Sequence, residues 1–286
     1  YDDDKNVQIY GRHLLIYFEQ FCQTVSINVN SSTFQTSTEI GDLQKVDEYL
    51  LRQILRAHSK TALEMLHLET GTTPIKYVII SRRLNYLKHI LDTSPHELIR
   101  KVYEAQKRKP IKNDWIFSIN NDKKEINLSL TDDQISKMSK SRFKKIVKEK
   151  VRKAAFEHLI SLKNTHSKVK DISYKKFNIQ QYLTDPRLTM KEKRLLFSLR
   201  TKMLDVKANF SSLYQNETQC DLCKSGYSQT QRHLLENCEK ITANSKSIYN
   251  NVSIDHDFIY EQIDQQIEVI KLYIEIQNVR ERLEGQ

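Results

Sequence analysis

The sequence predicts a mainly helical protein, and three observations carry that expectation. In 286 residues there are only 5 glycines and 4 prolines, too few to punctuate a series of tight hairpins or the loops of a nucleotide-binding α/β sheet. Apolar residues recur at intervals of three and four over long stretches, the period of helices buried on one face. Three of the 4 cysteines stand with one histidine inside residues 220–238, which suits a small metal module rather than a disulfide framework. The expected architecture is therefore a helical bundle, then a small metal-closed module, then a long terminal helix. With 38% hydrophobic residues the chain has material for at least one core.

Residues 1–40 show no clear period and read as an irregular or degenerate N-terminal segment, in which Cys22 is most simply a buried small residue. From Gly41 onward, Leu43, Val46, Leu50 and Ile54 mark one helix face, with Leu51 and Leu55 beside it. A short helix follows over 62–68. "ETGTTP" then breaks the chain, Gly71 being free to take positive φ and Pro74 suited to open the next helix, over about 75–91. In "TSPHELIRKVYEAQKRK", Ser94 reads as an N-cap with Pro95 at the first helical position, and Lys107, Arg108 and Lys109 before Pro110 mark the end.

Between Lys112 and Leu130, the alternations "WIFSI" and "EINLSL" suggest a short hairpin or a connecting loop, with Trp115 and Phe117 as core anchors. The clearest helix is "KMSKSRFKKIVKEKVRKAAFEHLISLK", whose stripe is Phe143, Val147, Val151, Ala154, Ala155, His158, Leu159 and Leu162. "LTMKEKRLLFSLRTKMLDVK" opens with the capping pair Thr189 and Glu192 and places Leu195, Leu196, Leu199, Met203 and Val206 on one face. After a polar linker, Ile263, Ile267, Ile270 and Ile274 define a final helix. These elements divide the chain into a helical region at 41–110, a linker with a basic helix at 111–178, a helix plus metal module at 179–240, and a terminal amphipathic helix at 241–286.

Lysine and arginine outnumber the acids to a net charge of +10, with pI about 9.2. A polyanionic partner follows, nucleic acid (RNA and/or DNA) before a membrane surface. No apolar run is long enough to span a membrane and no secretory signal is visible, so an intracellular place, nucleus or cytoplasm, is expected. Residues 137–153 hold nine basic side chains against the single acid Glu149. Of these, Lys144, Lys145, Lys148, Arg152 and Lys153 project from the polar sides of their helix, as phosphate contacts or as a plain solvated face. A second basic stretch runs through Arg187, Lys191, Lys193, Arg194, Arg200, Lys202 and Lys207. Arg82 and Arg83, followed by Tyr86, could clamp a backbone while stacking on a base; surface arginines around a core tyrosine are the equal alternative.

The metal constellation is Cys220-x2-Cys223-x9-His233-x4-Cys238. Thiolates two apart can grip one ion across a tight turn, here helped by Ser225 and Gly226 just beyond, and "QTQRHLLENC" can be a short helix whose exposed face offers His233 and, about a turn later, Cys238. Three thiolates and an imidazole suit zinc and leave no position open for water or substrate, so the site is expected to be structural.

Together, "EIGDLQKVDEYLLRQIL", "ALEMLHLETGTTPIKYVIISRRLNYLKHIL" and "LTMKEKRLLFSLRTKM" leading into "CDLCKSGYSQTQRHLLENC" resemble the C-terminal region of reverse transcriptases of non-LTR (LINE-type) retrotransposons, over roughly residues 40–240. The resemblance implies thumb and linker helices that hold a template-primer duplex, followed by a zinc knuckle implicated in nucleic-acid binding. It makes Cys220, Cys223, His233 and Cys238 zinc ligands, and Arg82, Arg83, Arg200 and Lys202 candidate backbone contacts. "YDDD" at the chain start matches the polymerase carboxylates by letter only, since it has neither a flanking strand nor a partner motif, so no catalytic residue is assigned and no activity is expected of this chain alone. No restriction-type endonuclease signature follows the knuckle. The terminal helix lies outside the resemblance. It supports an alternative, a zinc-braced interaction module that pairs with a partner or with itself through 258–283. On the leading reading, the zinc holds a grip on nucleic acid in place.

Overall fold

A computed structural model of the chain describes residues 37–244 and 263–284, except 110, 112, 113, 212 and 216. The expectations for Cys22, for Asp3 and Asp4 and for most of residues 1–40 lie outside the described residues. Within them the regular structure is helical, as the composition predicts, with a single antiparallel bridge between Gln219 and Ser228. The helices are α1 (Ser37–Leu55), α2 (Leu63–Thr70), α3 (Ile75–Asp92), α4 (Leu98–Arg108), α5 (Trp115–Glu125), α6 (Asp132–Lys137), α7 (Lys140–Lys163), α8 (Gln181–Thr184), α9 (Met190–Arg200), α10 (Glu239–Asn244) and α11 (Ile263–Glu284). The chain forms two compact units. The first contains 37–50 and Gly71–Leu162, the second Leu51–Thr70 and 163–284.

In the first unit α3 is the central helix, packed by α4, α5 and α6. Gly71 does take positive φ (65°), and Pro74 stands at the N-cap of α3. Arg83 clamps α5 through two bonds of 2.7 Å to the Asp122 carboxylate. Trp115 is met edge-on by Tyr86 and Tyr103 at 6.1 and 6.0 Å. Asp132 gathers three donors: Tyr103 Oη and Lys107 Nζ at 2.6 Å, and Lys123 Nζ at 3.2 Å.

Five expectations are corrected here. The 112–130 segment is not a hairpin: Asp114 caps α5 by accepting the Phe117 N–H at 2.6 Å, and Trp115, Ile116, Ile119 and Asp122 are buried at helical spacing. Trp115 is a core anchor, but Phe117 is 40% exposed. Helix α4 starts at Leu98, because Ser94 to Glu97 close a turn (Glu97 N–H to Ser94 O, 3.0 Å) with Pro95 at the turn position its fixed φ favours. On α7 the buried stripe narrows to Phe143, Val147, Val151, Ala155 and Leu159, while His158 and Leu162 are exposed. The face of α1 also differs: Leu51 and Leu55 are buried, and Val46 is 47% exposed.

The second unit closes on a buried ion pair. Glu69 of α2 and Arg200, the last residue of α9, are 0% and 1% exposed, with Arg200 Nε 2.8 Å from Glu69 Oε2. The other carboxylate oxygen accepts the Tyr174 hydroxyl. Arg200 also donates to Gln180 Oε1 (3.2 Å) and lies over the Tyr182 ring (5.3 Å), and Gln180 N–H reaches the Glu69 carbonyl at 2.9 Å. Thr189 and Glu192 form the reciprocal cap expected of them. Helix α9 stops six residues short of its expected end, Val206. Lys202 takes positive φ (54°), with Lys202 N–H bonded to Leu199 O (3.1 Å) and Met203 N–H to Ser198 O (2.8 Å), a Schellman termination without its usual glycine. Helix α11 packs against α8 and α9, burying Val269, Ile270, Tyr273 and Ile276, whereas Ile263, Ile267 and Ile274 are half-buried.

Glu69→Gln would leave the Arg200 charge buried without its counterion. Urea denaturation should show a loss of about 3–5 kcal/mol, and replacing both partners by apolar residues of similar volume should cost much less. Burial pushes the Asp132 carboxyl up, but Lys107, Tyr103 and Lys123 outweigh it and hold it down at about 2. Its stabilisation is therefore full above the unfolded-state value near 4 and disappears as pH falls through about 2. Unfolding free energies of wild type and Asp132→Asn from urea denaturation should differ by about 2 kcal/mol near neutrality and converge in strong acid.

Candidate metal centre and basic groove

In the second unit the chain leaves α9 through Met203, Leu204 and Val206, all buried, and enters the cysteine segment. Residues 218–229 fold back on themselves through Cys220 N–H to Tyr227 O (2.9 Å) and Gln229 N–H to Thr218 O (2.6 Å). Lys224 and Gly226, at φ 51° and 78°, turn the chain just after Cys223, so a side chain at 226 would be strained. Then His233–Asn237 form one π-helical turn. Residues five apart on an α-helix point about 140° away from each other. The wider π turn, with its i→i+5 closure, brings Cys238 back over His233.

The four side chains converge. Their ligand atoms all lie within 4.8 Å of one another, with Cys220 Sγ and Cys238 Sγ 3.9 Å apart and Cys223 Sγ 3.3 Å from His233 Nε2. Two thiolates bound at 2.3 Å to one tetrahedral ion would stand about 3.8 Å apart. The cluster can thus bind a metal ion with four protein ligands. Cys220, His233 and Cys238 are buried and Cys223 half-buried, so His233 is offered from inside the fold, not from an exposed helix face as expected. The Ser225 hydroxyl sits 2.9 Å from Cys223 Sγ. Beneath, Leu234 and Leu235 are fully buried, and Gln231 Nε2 donates to the Leu199 carbonyl at 3.3 Å, tying the turn to the end of α9.

The electrostatics of the cluster favour a cation among its sulfurs. Burial pushes the Cys238 thiol up to about 12, outweighing the Ile241 amide, and the other two sulfurs add to the rise. Burial also raises Cys223, but hydrogen bonds led by Ser225 reverse the sign and leave it below an ordinary thiol. Burial lowers His233, keeping its imidazole neutral and able to donate a lone pair. A divalent cation bound there would pair with several thiolates at once.

The first unit holds a second feature, a groove of about 820 Å³ between α3 and α7. One wall is Lys140, Lys144, Lys148 and Arg152; the other includes Arg82, Asn85, Tyr86 and His89. Among the described residues no acidic side chain lines it. Of the predicted contacts it gathers Arg82, Lys144, Lys148 and Arg152, and leaves out the rest. Lys145 and Lys153 are exposed elsewhere on α7, Lys153 lying 3.8 Å from Glu157. Lys191 is exposed at the start of α9 and Lys202 is half-buried in the turn after it.

Arg200, Arg83 and Arg194 are corrections. Arg200 is committed to Glu69 inside the core, Arg83 to Asp122, and Arg194 Nε donates to the Ile54 carbonyl at 3.0 Å. The groove also contains Lys140, Asn85 and His89, which the sequence reading passed over. The repeat of a base at 140, 144, 148 and 152 was the signal for Lys140.

No protein family, curated protein or solved structure matches the chain. No helix of the described residues is long and apolar enough to cross a membrane.

Binding a divalent ion at this cluster should release protons, so affinity measured with a chromophoric competitor should fall as pH is lowered. Cys223→Ser should lose stoichiometric metal by elemental analysis, and chelation should lower the melting temperature of the wild type but not of this variant.

Proposed function

We propose that the chain is the nucleic-acid-binding C-terminal part of a non-LTR retrotransposon reverse transcriptase, handling RNA or an RNA/DNA duplex in template and primer placement without a polymerase site of its own. The observation that supports this reading best is the groove between α3 and α7, where Arg82, Lys140, Lys144, Lys148 and Arg152 share one concavity without an acid. Such a surface suits a phosphate backbone, whose bound counterions are released on contact. Zinc is the metal proposed for the cluster, because three thiolates and an imidazole in a closed tetrahedral set match its preferences, and its role is structural. Self-association through the terminal helix has less support, since Ile270, in the middle of the proposed seam, is 1% exposed.

Fluorescence anisotropy of labelled RNA with the full chain tests the reading. Affinity should fall with salt with a log–log slope of roughly −3 for four phosphates. Lys144→Glu with Lys148→Glu should weaken binding at least about tenfold with an unchanged melting temperature. Equal affinity in wild type and the double variant would overturn it.

A further inference from the structure

We infer that the α3–α7 groove takes one strand of nucleic acid, single-stranded RNA or DNA, with its phosphates along α7 and a base against Tyr86. The inference rests on the nucleic-acid reading above and, for this groove, narrows it from RNA or an RNA/DNA duplex to a strand whose bases are unpaired.

The two walls of the groove differ in chemistry. On α7, Lys140, Lys144, Lys148 and Arg152 stand in single file. Successive members of that file are four helical residues, about 6 Å, apart along the axis. That step is close to the separation of consecutive phosphates on one strand. On α3, Arg82, Tyr86 and His89 follow one another at helical spacing, with Asn85 beside them. Besides the Arg82 guanidinium, whose plane can stack on a base as well as meet a phosphate, this wall offers a ring, an imidazole and an amide, groups that stack on or hydrogen-bond to bases.

Tyr86 is also braced. Trp115, itself 8% exposed, meets it edge-on at 6.1 Å, and the His89 ring lies 5.9 Å away, tilted by 40°. A half-buried ring held by two neighbouring rings loses little rotamer entropy when it takes a base at the groove it lines. A duplex would present its two backbones on the outside and hide its base faces. It would meet cations with one strand and leave the α3 wall without a partner. A single strand has phosphates on one side and bases on the other, and that polarity is the polarity of the groove.

The test uses the full chain with labelled single-stranded RNA and DNA of roughly twelve nucleotides and a blunt RNA/DNA duplex of equal length, at matched ionic strength. Single strands should bind at least about tenfold more tightly than the duplex. Tyr86→Ala should weaken single-strand binding by roughly five- to a hundred-fold with the salt slope unchanged, Tyr86→Phe should retain it, and duplex binding should not respond. His89→Ala, at an exposed position, should also weaken the single strand alone and guards against a folding defect in the tyrosine variant. Duplex binding as tight as single-strand binding, or Tyr86→Ala and His89→Ala both without effect, would overturn the single-strand assignment and leave the nucleic-acid reading standing. No binding of any of the three at low salt would remove both.

Discussion

The second unit depends on the Glu69–Arg200 pair. Two opposite charges that are 0% and 1% exposed have given up nearly all their hydration. Such a pair is tolerable only where every remaining donor and acceptor is answered. Tyr174, Gln180 and the Tyr182 ring supply the answers, and they come from the segment between α7 and α9, so one carboxylate draws together α2, that segment and the end of α9. The position of Arg200 in turn fixes where α9 stops. The Schellman turn after it, together with the Gln231 bond to Leu199 O, sets the start of the metal-binding turn. The buried Arg200, which the sequence offers to nucleic acid, is instead an internal partner of Glu69 one residue beyond the Leu199 carbonyl to which the turn holding His233 is tied.

In the first unit a pair of adjacent arginines illustrates a simpler constraint. Neighbouring residues on a helix point about 100° apart, so Arg82 and Arg83 cannot serve the same surface. Arg83 turns toward α5 and is held by Asp122; Arg82 lines the groove. The brace and the binding wall are thus successive residues of α3. The Trp115–Tyr86 contact repeats the pattern, since the tryptophan that anchors the core meets edge-on a tyrosine that lines the groove.

What could be read from the sequence follows from the range of the interactions responsible. The Thr189–Glu192 cap, the α7 stripe from Phe143 to Leu159 and the four-ligand cluster are set by residues within a few turns of one another, and pattern alone finds them. Helix α5 was missed because β-branched and aromatic residues in "WIFSI" imitate alternation, while its decisive residue, Asp114, is a single capping side chain in front. The end of α9 was missed because a lysine, not a glycine, takes the left-handed position. The partners of Arg83, Arg194 and Arg200 lie 39, 140 and 131 residues away in sequence. No local pattern distinguishes an arginine awaiting a phosphate from one awaiting a distant carboxylate.

That distinction changes what the metal does. On sequence grounds zinc appeared to hold a grip on nucleic acid, because basic residues crowd the helix that enters the cysteine cluster. In the fold, Arg200 of that helix is buried against Glu69, Arg194 is half-buried with its Nε bonded to the Ile54 carbonyl, and Lys191 is exposed. The clustered cations belong instead to α3 and α7 of the first unit. A metal ion held by the four side chains would therefore close its own unit, where the buried apolar side chains of the π turn and the 218–229 fold-back are few, Leu222, Leu234 and Leu235 among them. The groove draws its order from a different source, the Arg83–Asp122 clamp and the packed Trp115.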